Sequence, residues 1–412
     1  MDKKLPSKTF CAAPWHATYY KESMNKYKMC CVFDKWEEAK SPEDYFNSDT
    51  VKEVRATMLR GEWHPSCNVC QQQAEAGLDT DRDSFMRLYE TEDPKNFEDK
   101  FKLKWLDFRP GNLCNLKCRM CTGTNSSMIQ TEAEKNPELK EFMTDKPTIN
   151  SELLPSIANH ETFSELQFLK LLGGEPTIDP QIQKLLDWTV EQGYAKNINL
   201  RYTTNATNVN PRWVKAVNQF KTSKAQISLD GAGDTYDYIR TNANWESVKN
   251  NVKKIPQLMP NLLRLGTNIV FSTYNCFTVD KWLPQLFDLR NEIESEFDIE
   301  YDFHIINCTD PSYMIVRNLP DEFKQIVMKK LDYLENKDTK YLRMVRAFKY
   351  FVQQKPNKDI VSMQTKFFKH NDMLDRIRKT DIHKLDPVYE KLRQITVQSV
   401  SYTHLTLPTI SD

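Results

Sequence analysis

Segments typical of β-strands alternate with segments typical of α-helices through the middle of this chain. Six predicted strands, rich in aliphatic, aromatic and β-branched residues, lie at 103–109, 165–171, 197–202, 225–229, 263–271 and 299–306. Helical patterns separate them, at 182–192, 211–220, 245–254 and 283–294. This alternation predicts an α/β fold built on a parallel sheet, open or closed. In such a sheet a ligand binds at the carboxyl ends of the strands.

Two further regions flank the predicted core of residues 96–308. Residues 1–95 are polar and loop-rich and hold five cysteines, which predicts a cysteine-rich metal-binding module. Residues 309–399 have helical periodicity and form a predicted C-terminal helical region. Within 310–395, 19 Lys and Arg face 12 Asp and Glu. A solvated helical face explains that excess best, although a nucleic-acid partner stays open.

The last residues of the chain resemble a sequencing artefact rather than natural protein. Val400–Thr409 is the translation, without a mismatch, of the transposase adapter GTC TCT TAT ACA CAT CTG ACG CTG CCG ACG. We therefore expect residues 400–412 to be an adapter artefact and exclude His404 from metal-binding arguments.

Charge and hydropathy exclude several classes of protein. The 57 Lys and Arg balance 57 Asp and Glu, which argues against a general polyanion binder. The mean hydropathy is −0.66, no stretch approaches the roughly 18 apolar residues of a membrane span, and no apolar segment follows the first lysines. We expect a cytoplasmic protein without a membrane partner. In that reducing compartment, clustered thiols bind metal or do chemistry.

Three cysteines form the tightest cluster in the chain. Cys114, Cys118 and Cys121 have the spacing C-x3-C-x2-C directly after the first predicted core strand. Three thiolates on one loop can hold three corners of a [4Fe–4S] cluster and leave one iron open for an exogenous ligand. A zinc site completed from elsewhere is the alternative, but zinc usually takes two close pairs. Cys276 and Cys308 stand apart and are expected to be buried structural thiols.

The order of motifs along residues 105–308 resembles the radical S-adenosylmethionine (radical SAM) superfamily. Met120, within the cysteine triplet, stands where that family has a hydrophobic residue beside the adenine. The segment Gly173-Gly174-Glu175-Pro176 matches the family's GGEP motif, whose backbone and carboxylate hold the amino group of the cosubstrate. Adjacent glycines let the backbone approach a ligand closely.

Three more segments extend the resemblance and imply further cofactor contacts. The turn at 203–207 resembles the family's T-N-G turn, with Asn205 matched and Ala206 in place of the usual glycine. The segment 227–231 and the Ile-Arg pair at 239–240 are similar to elements that line the ribose and carboxylate. The implied contacts in these segments are Ser228, Asp230, Arg240 and, on the fifth predicted strand, Asn268.

The resemblance implies a partial parallel (βα)6 barrel and a reaction driven by one electron. A reduced cluster cleaves S-adenosylmethionine to methionine and a 5′-deoxyadenosyl radical, which abstracts hydrogen from the substrate. An electron donor such as flavodoxin or ferredoxin is the implied redox partner.

The N-terminal cysteines resemble the auxiliary-cluster modules called SPASM and twitch, although here they precede the core. Asn25 replaces the glycine found five residues before the second ligand, and asparagine tolerates the same left-handed backbone. Trp15 and Trp63 are expected to pack over the site, while His16 and His64 are expected to be packing or surface histidines rather than ligands. A structural zinc site with the same thiols is the alternative, and Cys31 is a substitute for Cys30. The predicted ligands of one auxiliary iron–sulfur cluster are Cys11, Cys30, Cys67 and Cys70.

Related auxiliary-cluster enzymes largely modify peptides, so a peptide or protein substrate is the leading prediction. A nucleic-acid-modifying relative, a small-molecule enzyme and a non-catalytic zinc- or iron–sulfur-binding scaffold are the alternatives. The last of these differs in class, because its cysteines would stabilise the fold without any turnover.

Overall fold

A computed structural model describes residues 5–75, 77, 80–90, 101–143 and 151–395. Its eleven strands are β1 Ala17–Lys21, β2 Lys26–Lys28, β3 Glu37–Glu38, β4 Trp105–Arg109, β5 Lys117–Cys118, β6 Phe168–Leu171, β7 Asn199–Thr204, β8 Thr222–Ser228, β9 Arg240–Thr241, β10 Leu262–Phe271 and β11 Glu300–Asn307. The predicted boundary at 95/96 and the adapter-like residues 400–412 fall outside the described residues.

The helices occupy three parts of the chain: the N-terminal region, the crossovers between core strands, and the C-terminal region. They are α1 Ala13–His16, α2 Pro42–Phe46, α3 Asp49–Leu59, α4 Asn68–Glu75, α5 Asp81–Glu90, α6 Ser127–Lys135, α7 His160–Phe163, α8 Pro180–Glu191, α9 Pro211–Val217, α10 Gly233–Ile239, α11 Trp245–Leu258, α12 Val279–Glu296, α13 Asp321–Lys337, α14 Leu342–Gln353 and α15 Ile360–Arg378. Residues 388–395 are also helical. Among the described residues, no helix is long and apolar enough to cross a membrane.

Nine strands form one mixed sheet in the order β11-β10-β8-β7-β6-β4-β1-β2-β3. The six predicted core strands correspond to β4, β6, β7, β8, β10 and β11, and each pairs in parallel with the next. Their bounds differ from the prediction by three residues or fewer; β6, for example, begins at Phe168 instead of 165. The predicted parallel α/β core is therefore confirmed.

The N-terminal region belongs to the same sheet, which the sequence analysis did not predict. β1 pairs in parallel with β4, with Tyr19 opposite Asp107, and β2 and β3 add two antiparallel strands. The tight turn between β1 and β2 places Asn25 at φ 48° and ψ 47°, the left-handed conformation predicted for it. The sheet thus continues across the predicted 95/96 boundary.

Burial alternates along the core strands and gives the sheet two different faces. Aliphatic and aromatic residues such as Leu169, Leu200 and Ile227 are fully buried on one face. Their neighbours in sequence, such as Lys170, Arg201 and Gln226, are polar and half-buried on the other face. This period of two is the signature of a strand that buries one side only. The polar face remains available for ligands.

The C-terminal helices pack as their periodicity predicts. In α13, Phe323, Val327, Leu331 and Leu334 are buried, whereas Ile326 is half-buried. On α14 the apolar face stacks against the core, with the Phe348 and Phe271 rings 4.2 Å apart. Lone thiols Cys276 and Cys308 are buried, as predicted.

Candidate functional site

The three cysteines of the C-x3-C-x2-C segment lie on the loop that follows β4, at the carboxyl edge of the sheet. All three are half-buried. Burial raises the pKa of each thiol, to about 11 for Cys114, and the charges of Cys118 and Cys114 raise that of Cys121 further. Their mutual electrostatic influence shows that the three sulfurs lie near one another. Residues 112–121 are called the cysteine loop below.

The Gly-Gly-Glu-Pro turn after β6 packs directly on the backbone of the cysteine loop. The Glu175 N–H donates to the Leu113 carbonyl at 2.8 Å. A Cβ at Gly174 would collide with that same carbonyl oxygen and lie 2.5 Å from the carbonyl oxygen of Asn112. Gly174 is therefore required by contact with the protein's own backbone. Gly173 is less constrained, since its nearest neighbour would be 3.9 Å away.

The Glu175 carboxylate joins the turn after β6 to the turn after β7. It is 1% exposed and accepts hydrogen bonds from the Thr177 N–H and hydroxyl, the Thr204 hydroxyl at 2.6 Å and the Asn205 N–H at 2.6 Å. Burial raises its pKa, although these hydrogen bonds oppose the rise. Pro176, also buried, opens the short 3-10 turn that follows.

The turn after β7 holds the cysteine loop from a second side. The Asn205 side chain donates to Asn115 Oδ1 at 2.9 Å, and the Asn115 amide donates to the Thr207 hydroxyl at 2.8 Å. Ala206 adopts φ 54°, the left-handed conformation that favours glycine. The resemblance to a glycine-containing turn thus extends to the backbone geometry, in spite of the alanine.

Arg240 holds the loop from a third side and reaches a cysteine sulfur. β5 and β9 pair so that Cys118 lies opposite Arg240, whose Nη1 is 3.8 Å from Cys118 Sγ. The other end of the guanidinium donates to Asp230 at 2.6 Å, and Asp230 in turn accepts from the Val270 N–H. The positive charge of Arg240 lowers the pKa of Cys118 against the effect of burial. A cation beside this sulfur favours the thiolate that metal binding requires.

Arg119, which the sequence analysis did not single out, fixes the loop between two of the cysteines. Its side chain is fully buried and stacks 3.7 Å from the centre of the Tyr238 ring. It donates hydrogen bonds to the Tyr238 carbonyl, Asn371, Asp375 and Thr380. The last three residues lie on or just after α15. The C-terminal helical region is therefore joined to the cysteine loop by a buried ion pair.

The remaining predicted contacts lie around the same edge. Ser228 and Asn268 are adjacent across β8 and β10 and half-buried on the polar face. The Met120 sulfur accepts a hydrogen bond from the Ser272 hydroxyl at 2.9 Å. All predicted residues of the core site therefore occur within the loop, the strand ends or the turns that contact them.

The donor set of the cysteine loop suits a cubane iron–sulfur cluster. The loop carries three cysteines and no fourth, and the Arg240 guanidinium lies beside the sulfur of one of them, Cys118. Within the described ranges, no three His, Cys, Asp or Glu side chains are grouped closely enough to hold a single metal ion. A cubane has no need of such a group, because each cysteine binds a different iron.

The four predicted N-terminal ligands line one cavity. Cys11, Cys30, Cys67 and Cys70 face it together with Trp63. Burial raises the pKa of all four thiols, to about 12 for Cys11, Cys67 and Cys70. Their charges also act on one another, Cys67 on Cys11 and Cys70 on both Cys30 and Cys67. These four thiols are a donor set for an iron–sulfur cluster, which binds the thiolate and takes each cysteine on a different iron. In the described structure they are not grouped closely enough to hold a single metal ion.

The other N-terminal candidates lie outside that cavity lining. The Cys31 sulfur accepts a hydrogen bond from Lys170 on β6 at 3.5 Å instead. His64 Nδ1 accepts from the Ser66 N–H, and burial lowers the pKa of His16 to about 4. Trp15 packs on Phe10, with ring centres 5.2 Å apart, and borders a separate cavity. The geometry thus separates Cys30 from Cys31.

Comparison with known proteins identifies the core and finds partial structural likenesses. Residues 108–275 match the sequence model of the Radical SAM superfamily. No curated protein sequence matches the chain.

Among solved structures, native anSMEcpe with bound AdoMet and Cp18Cys peptide is 17% identical, with a TM-score of 0.36 over 54% of this chain and 57% of that one. Streptococcus suis SuiB bound to S-adenosylmethionine is 14% identical, with a TM-score of 0.34 over 69% of this chain and 64% of that one. This chain therefore spans little more than half the length of anSMEcpe.

The matched residues begin within β4, contain the whole cysteine loop and the turns that hold it, and end in the turn after β10. Residues 108–275, about two fifths of the chain, are thus similar to the Radical SAM superfamily, whose members use a [4Fe–4S] cluster and S-adenosylmethionine.

Proposed function

We propose that this protein is an enzyme that reductively cleaves S-adenosylmethionine and uses the resulting 5′-deoxyadenosyl radical to abstract hydrogen from a peptide or protein side chain. The observation that carries the proposal is the convergence of two strand-end turns and Arg240 of β9 on the cysteine loop. The Gly174–Glu175 turn, the Asn205–Thr207 turn and Arg240 each contact a different part of that loop. Such multiple support is what a rigid cofactor site needs.

Cys114, Cys118 and Cys121 would hold the cluster, which when bound supplies the electron for cosubstrate cleavage. The residues around it would bind and orient S-adenosylmethionine and keep water out. Four donors already occupy the roughly four acceptor sites of the Glu175 carboxylate, so a cosubstrate ammonium would have to displace one of them, such as the Thr177 hydroxyl. Asp230 holds Arg240 in place beside Cys118. The proposed cosubstrate contacts are Met120, Gly173, Gly174, Glu175, Pro176, Asn205, Ser228, Asp230, Arg240 and Asn268.

The six parallel strands support a partial (βα)6 barrel. β4, β6, β7, β8, β10 and β11 are neighbours in the sheet in their chain order. Because parallel crossovers share one hand, a sheet wound in one direction carries its crossover helices on one face. The other face can then curve around a substrate. A flavodoxin or ferredoxin would provide the electron.

The test is cosubstrate cleavage by the anaerobically reconstituted full chain with dithionite. We expect 5′-deoxyadenosine from the wild type and a loss of at least about 100-fold for Cys118→Ala, because a cluster ligand is gone. Cys276→Ala is the matched control, since this thiol is buried elsewhere and its loss should leave cleavage near the wild-type rate. Iron and sulfide without any deoxyadenosine from the wild type would instead favour the non-catalytic scaffold.

We also propose that Cys11, Cys30, Cys67 and Cys70 bind an auxiliary iron–sulfur cluster, with structural zinc as the alternative. Cys30→Ala is expected to lower the metal content per chain, because Cys30 lines the cavity with the other three thiols. Cys31→Ala, one residue away, should keep the full content, since its sulfur contacts Lys170. Elemental analysis for iron and zinc with sulfide determination distinguishes the two metals. Equal metal loss in both variants would contradict this ligand set.

Cys67→Ala adds a functional readout to the same site. If the N-terminal centre is auxiliary, this variant should still form deoxyadenosine, in contrast to Cys118→Ala. Complete loss of cleavage would show that the N-terminal thiols are needed for the cosubstrate chemistry itself.

A further inference from the structure

Four cations stand side by side across the polar face of the sheet. In the parallel registers Lys170 on β6 lies opposite Arg201 on β7, Arg201 opposite Lys224 on β8, and Lys224 opposite Arg264 on β10. Like charges directly opposite one another on neighbouring strands destabilise a sheet. These four residues, called the cation row below, are therefore costly to the free protein.

The carboxylates nearby neutralise only part of the row. Asp302 on β11 accepts from Lys224 at 2.8 Å and from Arg264 at 3.3 Å, and Glu300 pairs with Arg264. At the other end, Asp107 Oδ2 is 3.9 Å from Lys170 Nζ, too far for a hydrogen bond. Lys170 also donates a hydrogen bond to the Cys31 sulfur at 3.5 Å, so Arg201 is left as the least compensated member of the row.

Arg201 is the member of the row with the poorest partners. It stacks over Trp105, 4.4 Å from the ring centre, and donates one long hydrogen bond of 3.4 Å to the Ser84 hydroxyl on α5. In the part of the chain that the structure describes, it forms no ion pair within 4 Å; Asp107 and Asp81 act on it only at longer range. Burial, and then Arg87, lower its pKa to about 10. A half-buried guanidinium with no carboxylate in contact favours a ligand that supplies one.

A second observation points to a ligand beside the row. Asp107 is 1% exposed, and its Oδ2 has no hydrogen-bond partner among the described residues. Gln226 lies on β8 two residues after Lys224, and its Oε1 is likewise buried without a hydrogen-bond donor among the described residues. α5 packs on part of this face, through Ser84 and Phe85. An acceptor, a donor-rich cation pair and an amide on the same face suit a group that carries both N–H and carboxylate, as a peptide does.

The cation row also lies at a suitable distance, measured along the strands, from the proposed cosubstrate contacts. Lys224 and Ser228 are four residues apart on β8, and Arg264 and Asn268 are four apart on β10. At about 3.3 Å per residue this separation is about 13 Å along the strand. The Lys170 and Lys224 side chains keep 20% and 22% of their surface exposed, so the row is reachable.

We propose that the cation row, centred on Lys170 and Arg201, is a binding site for a carboxylate of the substrate, which is therefore an acidic peptide. The term substrate rests on the function proposed above, whereas the anion site does not depend on it. The carboxylates Asp107 and Asp302 at the two ends of the row disfavour a run of phosphates, so a peptide fits better than a nucleic acid.

The test is binding of a fluorescein-labelled, terminally blocked pentapeptide Gly-Glu-Gly-Glu-Gly to the metal-loaded full chain, followed by anisotropy. Its matched probe has Gln in place of Glu. We expect the Glu peptide to bind more tightly than the Gln peptide, and Arg201→Met to weaken Glu-peptide binding by about tenfold or more. Lys215→Met, an exposed cation on α9, should change nothing.

Thermal unfolding of the ligand-free proteins distinguishes a ligand-binding role of Arg201 from a structural role. The two roles predict opposite shifts in the melting temperature of Arg201→Met. Removing one of four adjacent like charges should raise the melting temperature of Arg201→Met, whereas loss of a structural cation would lower it. Lys170→Met carries the binding expectation alone if Arg201→Met fails to fold, because Asp107 and Cys31 stabilise the Lys170 charge and its removal should not raise the melting temperature. Failure of both to fold, equal affinity for the Glu and Gln peptides, or unchanged affinity in a folded Arg201→Met variant would overturn the proposal.

Two further measurements distinguish a peptide site from a nucleic-acid site, and the anion site from the enzymatic function. Competition by a short single-stranded oligonucleotide that is lost in Arg201→Met would overturn the assignment to a peptide. Deoxyadenosine formation measured without peptide reports on the cofactor chemistry alone. Cleavage without Glu-peptide binding refutes only the anion site, and binding without cleavage refutes only the enzymatic function.

Discussion

Gly174→Ala is expected to abolish cosubstrate cleavage without touching any cysteine. The new Cβ would collide with the Leu113 carbonyl and come within 2.5 Å of the Asn112 carbonyl, so the cysteine loop must move. Overpacking of this kind costs about 1–3 kcal/mol, and a shift of about 1 Å at a reacting centre can cost about 100-fold in rate. Iron content, deoxyadenosine formation and urea unfolding of the same preparation measure the three effects.

Gly173→Ala is the matched control, because it adds the same methyl group one residue earlier. Its nearest neighbours would be 3.9 Å and 4.0 Å away, which is ordinary contact. We expect wild-type iron content and an unfolding free energy within about 1 kcal/mol of the wild type. Equal iron loss in both variants would mean that the glycines serve the cofactor directly and that the backbone contact at Gly174 is incidental.

Arg119→Met should have the largest effect on stability of any single change considered. The substitution removes the buried guanidinium that pairs with Asp375 and donates to the Tyr238 carbonyl and to Asn371. Breaking a buried ion pair by removing one member typically costs about 3–5 kcal/mol. Denaturant unfolding of the metal-free protein measures this cost, and reduced iron loading should accompany it, since Arg119 lies between Cys118 and Cys121.

Arg212→Met supplies the comparison for that experiment. Arg212 also pairs with an aspartate, Asp187 at 2.6 Å, but its side chain is 68% exposed. Exposed pairs contribute about 0–1 kcal/mol, so this variant should unfold almost as the wild type does. If Arg119→Met were no more destabilised than Arg212→Met, the C-terminal helix would not be holding the cysteine loop.

The core of the fold was predictable because its signals are local. Each parallel strand is a short apolar segment between helices, and burial on one face produces the visible alternation in β7 and β8. β1 was not predicted because its partner is distant in sequence. The segment Ala17–Lys21 joins the sheet only through β4, more than eighty residues later, and nothing in its own composition specifies a parallel neighbour.

The candidate site was likewise predictable only where its signals are local in sequence. Cysteine spacing and the Gly-Gly-Glu-Pro segment are local patterns, so they could be found in the sequence. The residues that hold the cysteine loop in place could not be predicted, because their contacts are distant in sequence. Arg119 contacts Asp375 across 256 residues, and Gly174 contacts Leu113 across a whole crossover. No local pattern indicates that an arginine between two cysteines will be fully buried. The cation row was invisible for the same reason, since it exists only after four strands align.

The pairing of β1 with β4 bears on any attempt to divide this protein for study. β4 now has hydrogen-bonded neighbours on both sides, β1 and β6. A truncated version starting at β4 would leave β4 as an exposed edge strand, with its peptide groups open to pairing with another chain. Self-association of such a fragment would then reflect a cut sheet, and it would say nothing about the assembly state of the intact molecule.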